Sequence, residues 1–221
     1  MTQWYLYMSL TLFNNFHLVN HPLVHNILAH LRDQNTGNKE FRELIYQISL
    51  LLAYEATAIL QTIPIEIQTP LETCEALTLM PPYPVIVPIL RAGLGMVDAL
   101  LTLIPNASVG QIGLVRDKKT LEPTQYYFKI PKQSEDAHYF LCDPMLATGG
   151  SAVSAINMLK DKKIKNITFI CIIAAPEGVK NFCKAHPDIP IYAASLDRTL
   201  DAHGHIRPGL GDAGDRLFGT I

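Results

Sequence analysis

Leu23, Ile27, Leu28 and Leu31 follow His21-Pro22 at the three- and four-residue spacing of one helix face. The polar stretch Asp33 to Lys39 interrupts them. Phe41, Leu44, Ile45, Ile48, Leu51, Leu52, Ile59 and Leu60 then trace a long amphipathic helix, predicted to stop before Pro64. From Ile65 the rhythm changes. Short apolar runs predict strands at Val85 to Leu90, Gln111 to Arg116, Tyr126 to Ile130, His138 to Cys142, Ile167 to Ala174 and Ile191 to Leu196. Helical spacing falls between them at Leu94 to Ile104, Gly150 to Lys160 and Glu177 to Lys184. Near-continuous apolar strands alternating with helices imply an α/β fold, with a mostly parallel sheet flanked by helices on both faces. The two helices ahead of the strands suggest an N-terminal helical arm, 21–63, or a dimer-forming layer. The polar stretch Asp117 to Pro123, between two strands, reads as a protruding β-hairpin. Met1 to Asn20 is apolar and aromatic but lacks a basic start and is broken by Asn14, Asn15 and His17. It reads as an extra segment, 1–20, ahead of a single domain over 21–221, and Met8 could equally begin translation.

Composition narrows the class. At roughly 150 residues per domain, 221 residues make one large domain with a small appendage. Hydrophobic residues are 48% of the chain, enough for a sizeable core, and charged residues only 17%. So low a charge fraction leaves a surface that is uncharged or buried against another subunit, pointing to a homodimer or higher homo-oligomer. A net charge of −2 creates no global positive field for nucleic acid or an anionic membrane. No apolar run approaches the roughly 20 residues of a membrane span. Cys74, Cys142, Cys171 and Cys183 show no metal or dithiol spacing, as expected of reduced thiols in the cytoplasm. Five of the thirteen glycines fall in the last 18 residues, so the segment 200–221 is expected to approach a ligand closely.

Candidate chemistry concentrates in Tyr139-Phe140-Leu141-Cys142-Asp143-Pro144-Met145-Leu146-Ala147-Thr148-Gly149-Gly150-Ser151. An apolar strand delivers an acid at its carboxyl end, and Thr-Gly-Gly-Ser then opens a helix. Exposed N–H groups, two hydroxyls and the positive helix end suit a phosphate monoester. Asp143 beside them can accept hydrogen bonds from a vicinal diol. Phosphate and diol together describe a ribose 5-phosphate at the carboxyl end of a strand. Ser and Thr also cap helices that bind nothing. Neither the Walker A nor the GxGxxG spacing is present.

This strand–acid–Ala-Thr-Gly-Gly-Ser pattern resembles the phosphoribosyl pyrophosphate (PRPP) loop of type I phosphoribosyltransferases. Four blocks in series resemble the uracil phosphoribosyltransferases in particular: Pro88 to Gly95, Asp143 to Ser151, Ala174 to Gly178, and Pro208 to Asp215. The similarity runs from about His21 to the C-terminus. Most type I relatives carry two adjacent acids where this chain has Asp143-Pro144, a departure shared with the uracil enzymes.

The resemblance implies a type I phosphoribosyltransferase fold with a C-terminal base-binding hood, and transfer of the phosphoribosyl group to N1 of uracil, giving UMP and pyrophosphate. Asp143, Pro144, Met145, Leu146, Ala147, Thr148, Gly149, Gly150 and Ser151 would hold the ribose and 5-phosphate. Arg91 and Arg116 would bind the pyrophosphate, as guanidinium forks suit phosphate oxygens. Asp212 would contact PRPP through its Mg²⁺, the implied cofactor, and completes the catalytic set of Arg91, Arg116 and Asp212. Ile206, Gly211, Asp212 and Ala213 would bind uracil, with glycine-held backbone groups reading its acceptor–donor–acceptor edge. Arg207 stands where the resemblance leads one to expect an aliphatic residue, and its side chain is expected to face solvent. His203 and His205 offer only two ligands and read as loop rather than metal site. Some relatives are activated by GTP, and no residue here signals it. The competing reading is a PRPP-sensing, nucleic-acid-binding regulator on the same fold, which would need a basic face that the net charge does not supply.

Overall fold

The structure is a computed structural model that describes residues 14–116, 123–132 and 136–220. In chain order its elements are β1 (Phe16–Leu18), α1 (Pro22–Arg32), α2 (Asn38–Ala56), β2 (Thr62–Gln68), β3 (Thr73–Leu79), β4 (Val85–Leu90), α3 (Leu94–Leu103), β5 (Ser108–Val109), β6 (Gln111–Arg116) and β7 (Pro123–Lys129). There follow β8 (Tyr139–Cys142), β9 (Met145–Leu146), α4 (Gly150–Asp161), β10 (Ile167–Ala174), α5 (Pro176–Ala185), β11 (Ile191–Leu196), β12 (Thr199–Leu200), β13 (Ile206–Arg207) and α6 (Ala213–Phe218).

The main sheet runs β1-β11-β10-β8-β4-β6-β7, parallel except for the antiparallel β6–β7 pair. Every residue of β10 is buried, because both faces of the sheet are covered. Alternate side chains feed different cores. Ile86, Phe140 and Ile170 pack with α1, α2 and α3, whereas Val87, Leu141 and Cys171 pack with α4 and α5. Burial pushes the Cys142 and Cys171 thiols well up, and the nearby charge of Asp143 adds to it, so both stay neutral and act as packing.

The connections set the site. From β4 the chain crosses by α3 to β6 on one side; from β8 it crosses by α4 to β10 on the other. The neighbours β4 and β8 pair at Pro88 and Cys142, so their carboxyl ends lie side by side where the winding reverses. Open α/β sheets leave a crevice at such a point.

Two expectations need correction. The helices before the strands are no arm: Val24, Leu31, Phe41, Ile45, Ile48 and Leu52 are fully buried in the core. The long helix stops at Ala56, and Ile63 and Pro64 belong to an antiparallel hairpin, β2–β3, which is what projects. A 3-10 turn, Thr57–Ile59, carries the helical spacing on past Ala56 to Ile59 and masks the alternation of Ile63, Ile65 and Ile67 just behind it. Pro64 is tolerated because a two-stranded ribbon has only edges.

The segment 1–20 is likewise not wholly outside the domain. Its residues 16–18 form the edge strand β1, parallel to β11, with Phe16 buried. Asn15 Nδ2 donates to Ile189 O at 2.7 Å, tying the strand's start to the core. The expected hairpin tip, 117–122, and residues 1–13 lie outside the described residues. The flanking strands β6 and β7 do pair, as a hairpin requires.

Candidate active site

Asp143 leaves the carboxyl end of β8 half-buried. Burial pushes its carboxyl up to about 7, with the Met145 N–H pulling the other way. Pro144 O then accepts from Ile172 N and Ile173 N at 2.9 and 3.0 Å, and Leu146 O accepts from Ala175 N at 2.9 Å. Those bonds and the β9–β10 pairing lay Met145 and Leu146 flat against the sheet. The chain turns upward at Gly149, where φ is +83°, a value that disfavours any side chain. Gly178 of α5 comes so close beneath that a Cβ there would drive into the backbone carbonyls of Leu146 and Ala147. Asn181 Nδ2 donates to Thr148 O at 3.0 Å. Gly150 and Ser151 open α4, so the first N–H groups of that helix face the end of the loop. The nine residues Asp143 to Ser151 thus form one continuous cradle.

The C-terminal segment reaches the same place from the other direction. β12 and β13 pair antiparallel, and Ile206 is buried at the start of β13. Gly209 and Leu210 turn inward, and Gly211 and Asp212 return to the surface. Asp212 caps α6, its Oδ1 accepting from Asp215 N at 2.9 Å. A cavity of about 490 Å³ lies between the two segments. Asp143 and Met145 line one wall; Ile206, Gly211, Asp212 and Ala213 line the other. Residues far apart in the chain therefore share one concave, open site.

The uracil phosphoribosyltransferase family model matches residues 18–220. The chain belongs to the uracil phosphoribosyltransferase family. It is 54% identical to the uracil phosphoribosyltransferase of Listeria innocua over 93% of this chain and 99% of that protein. It is 53% identical to the enzyme of that name from a Geobacillus strain, over 92% and 98%. Among solved structures, the AQ2163 protein of Aquifex aeolicus superimposes with a TM-score of 0.86 at 34% identity, over 92% of this chain and 97% of that one. Adenine phosphoribosyltransferase of Trypanosoma brucei superimposes with a TM-score of 0.58 at 11% identity, over 86% of each chain, a likeness of fold alone. The fold is thus that of the type I phosphoribosyltransferases.

Arg91 follows β4, and the Leu90–Arg91 peptide is cis. Its guanidinium is half-exposed beside the cavity, 3.2 Å from Asp215 Oδ1 and 5.9 Å from the centre of the Phe218 ring. Arg116 ends β6 opposite Pro123, at the mouth of the expected hairpin. Arg207 is solvent-exposed, as expected, but it also lines the cavity, and its guanidinium donates twice to Asp201 Oδ2, at 2.6 and 3.0 Å. Asp201 also accepts from His203 N and His205 N, so the two histidines belong to a loop closed on that aspartate.

Three further residues around the site went unnoticed in the sequence. Asp197, one residue beyond β11, is buried, and the guanidinium of Arg32 reaches it from the end of α1 at 2.5 and 2.8 Å. Burial opposes ionisation of Asp197, but bonds from Arg32, Ser195 and the Gly209 N–H outweigh it and hold the carboxyl below its ordinary range. Arg216 of α6 donates back to Leu31 O and Asp33 O, both at 2.6 Å, and to Leu210 O at 2.7 Å, over the Phe41 ring. The one signal for Asp197 was positional: it follows an apolar strand as Asp143 does.

Proposed function

We propose that this chain transfers the 5-phosphoribosyl group of PRPP to N1 of uracil, giving UMP and pyrophosphate. The observation that carries the reading is the shared cavity, with Asp143 and Met145 on one wall and Ile206, Gly211, Asp212 and Ala213 on the other. The cradle from Asp143 to Ser151 holds the ribose 5-phosphate: helix N–H groups and the Thr148 and Ser151 hydroxyls take the phosphate, and Asp143 takes the diol. Ile206 packs on the pyrimidine face, and backbone groups from Gly211 to Ala213 read its edge. Uracil N1 then attacks C1′ opposite the pyrophosphate. The C1′–N1 bond forms, the C1′–O bond to pyrophosphate breaks with inversion, and the N1 proton is lost. No side chain needs to attack the sugar. Alignment and charge stabilisation account for the rate.

Arg91 exchanges its Asp215 partner for the more highly charged pyrophosphate, and Arg116 supports the same group from the hairpin base. Among the described residues no cluster of three or more metal-ligating side chains occurs. Two carboxylates, Asp143 and Asp212, do line the cavity, a donor set that suits Mg²⁺ carried in on substrate phosphates. When bound, Mg²⁺ neutralises charge on the departing pyrophosphate.

The hairpin β2–β3 supports self-association. Ile65, Ile67, Leu71 and Leu77 are exposed on it, and a lone two-stranded ribbon is marginal in water. All four cysteines are free, which suits the cytoplasm, and no described helix is long and apolar enough to cross a membrane. Activation by GTP rests on the family resemblance alone.

The testing experiment measures UMP formation from PRPP and Mg²⁺ with uracil, cytosine, hypoxanthine and orotate as parallel acceptors, with and without GTP. Turnover with uracil alone is expected. Turnover with another base instead would overturn the roles of Ile206 to Ala213, and silence with every base would overturn the enzyme.

A further inference from the structure

The loop that walls the base side of the cavity has two faces. Pro208, Gly211 and Asp212 are exposed toward the open side and line the cavity, whereas Gly209 and Leu210 are buried behind it. A backbone edge that reads a planar ligand must be held still to a fraction of an ångström, because hydrogen bonds weaken steeply with angle. The hidden face shows what holds it. Arg32 Nη1 donates to Gly209 O at 2.6 Å, and Asp197 Oδ2 accepts from Gly209 N at 2.9 Å. Both backbone groups of one residue are thus taken by a single ion pair. That pair is itself pinned: both Arg32 nitrogens reach Asp197, and the Ser195 hydroxyl donates to Asp197 Oδ1 at 2.7 Å. The Asp197 side chain is 1% exposed, so no water competes for the carboxylate.

Resting on the reading of that wall as the base site, we propose that Arg32 and Asp197 are positioning residues for the acceptor base. They grip Gly209 from behind and so set the register of the backbone from Ile206 to Ala213 against uracil, without touching it. Besides bonding each other, the two side chains take both backbone polar groups of one glycine of the binding loop, a contact that fixes position as well as stability. Buried pairs are weak stabilisers in any case, since desolvation offsets most of their attraction. The side-chain bonds of the pair go to Ser195, to Gly209 and to each other rather than to the cradle from Asp143 to Ser151, so the effect is expected on the base and not on PRPP.

The test compares steady-state kinetics of the wild type, Arg32→Lys, and the double variant Arg32→Met/Asp197→Leu. The double variant exchanges the pair for apolar side chains of similar bulk and so removes the grip without stranding a buried charge. Arg32→Lys keeps the charge opposite Asp197 but lacks the fork that spans both Asp197 and Gly209 O. In both variants KM for uracil should rise about 10- to 100-fold, while KM for PRPP stays within about 3-fold. A merely structural role would lower the melting temperature and the fraction of active enzyme, hence apparent kcat, and leave KM for uracil where it was. That result, or a parallel rise in both KM values, overturns the proposal. An inactive wild type removes the proposal together with the reading beneath it; an active wild type whose variants keep the wild-type KM for uracil removes the proposal alone.

Discussion

From Asp143 to Ser151 the chain is held mostly by backbone: carbonyls of Pro144 and Leu146 bonded into β10 and its end, a short strand in the sheet, and a glycine of α5 pressed beneath, with one side-chain tether from Asn181 to Thr148 O. From Pro208 to Leu210 it is held by side chains, Arg32 and Asp197 on Gly209 and Arg216 on Leu210, with Arg216 also reaching back to the end of α1. The first wall takes its position from the sheet and tolerates almost no added volume. The second takes its position from charge-assisted hydrogen bonds across the molecule and answers to changes of charge and reach. The aspartate on the first wall and the one behind the second are shifted in opposite directions: Asp143, with few donors, rises to about 7, and Asp197, ringed by donors, falls. A site of this kind joins a fixed half for the sugar phosphate to an anchored half for the base.

Volume at the first wall should have the largest effect. Gly178→Ala places a methyl against the carbonyls of Leu146 and Ala147, and the cradle must lift away. Turnover per unit PRPP should fall roughly 100-fold, with KM for uracil little changed. Kinetics that leave PRPP use intact would show that α5 does not support the cradle.

Acidity separates the walls next. PRPP's diol donates to the ionised Asp143, so affinity for PRPP should strengthen as pH climbs through about 7 and level off above it. Between pH 6 and pH 8 the KM for PRPP should drop about 10-fold, following the ionised fraction of a group with that pKa. In Asp143→Asn the affinity is weaker and the slope reduced to that of PRPP's own phosphates. An unchanged slope in the variant would assign the pH dependence to the substrate.

Arg216→Met tests the anchored wall from its other end. It leaves the carbonyls of Leu31, Asp33 and Leu210 without this donor while keeping bulk over Phe41. KM for uracil should rise about 3- to 10-fold, and the melting temperature should fall by several degrees. A lower melting temperature with an unmoved KM would make Arg216 structural only. The smallest effect belongs to Arg207→Ala: Arg207 lines the cavity, but its guanidinium is turned to Asp201 in an exposed pair, so both KM values should stay within about 2-fold. A larger change in KM for uracil would mean that Arg207 reaches the base.

How much of this was visible in advance follows from the range of each contact. The runs Val85 to Leu90, Gln111 to Arg116, Ile167 to Ala174 and Ile191 to Leu196 are the strands β4, β6, β10 and β11, with the same bounds. Burial on both faces makes a strand such as β10 almost wholly apolar, and consecutive residues carry that signature. The hairpin β2–β3 has no fully buried face, and its alternation was hidden behind a helix whose spacing ran on through a 3-10 turn. The role of Phe16 to Leu18 as an edge strand was equally invisible, since three residues carry no period.

The sequence alone determined the alternation of the central strands and helices, the parallel sheet, and the cradle, because strand, acid, turn and helix start lie in thirteen consecutive residues. It also supplied the glycine-rich segment that forms the second wall. Only the tertiary structure decided that the two walls face one cavity, and that Arg32 meets Gly209 across 177 positions of chain. No spacing rule reaches that far. The meeting depends on how α1 packs on the sheet, and that packing is set by many buried side chains at once rather than by any local run.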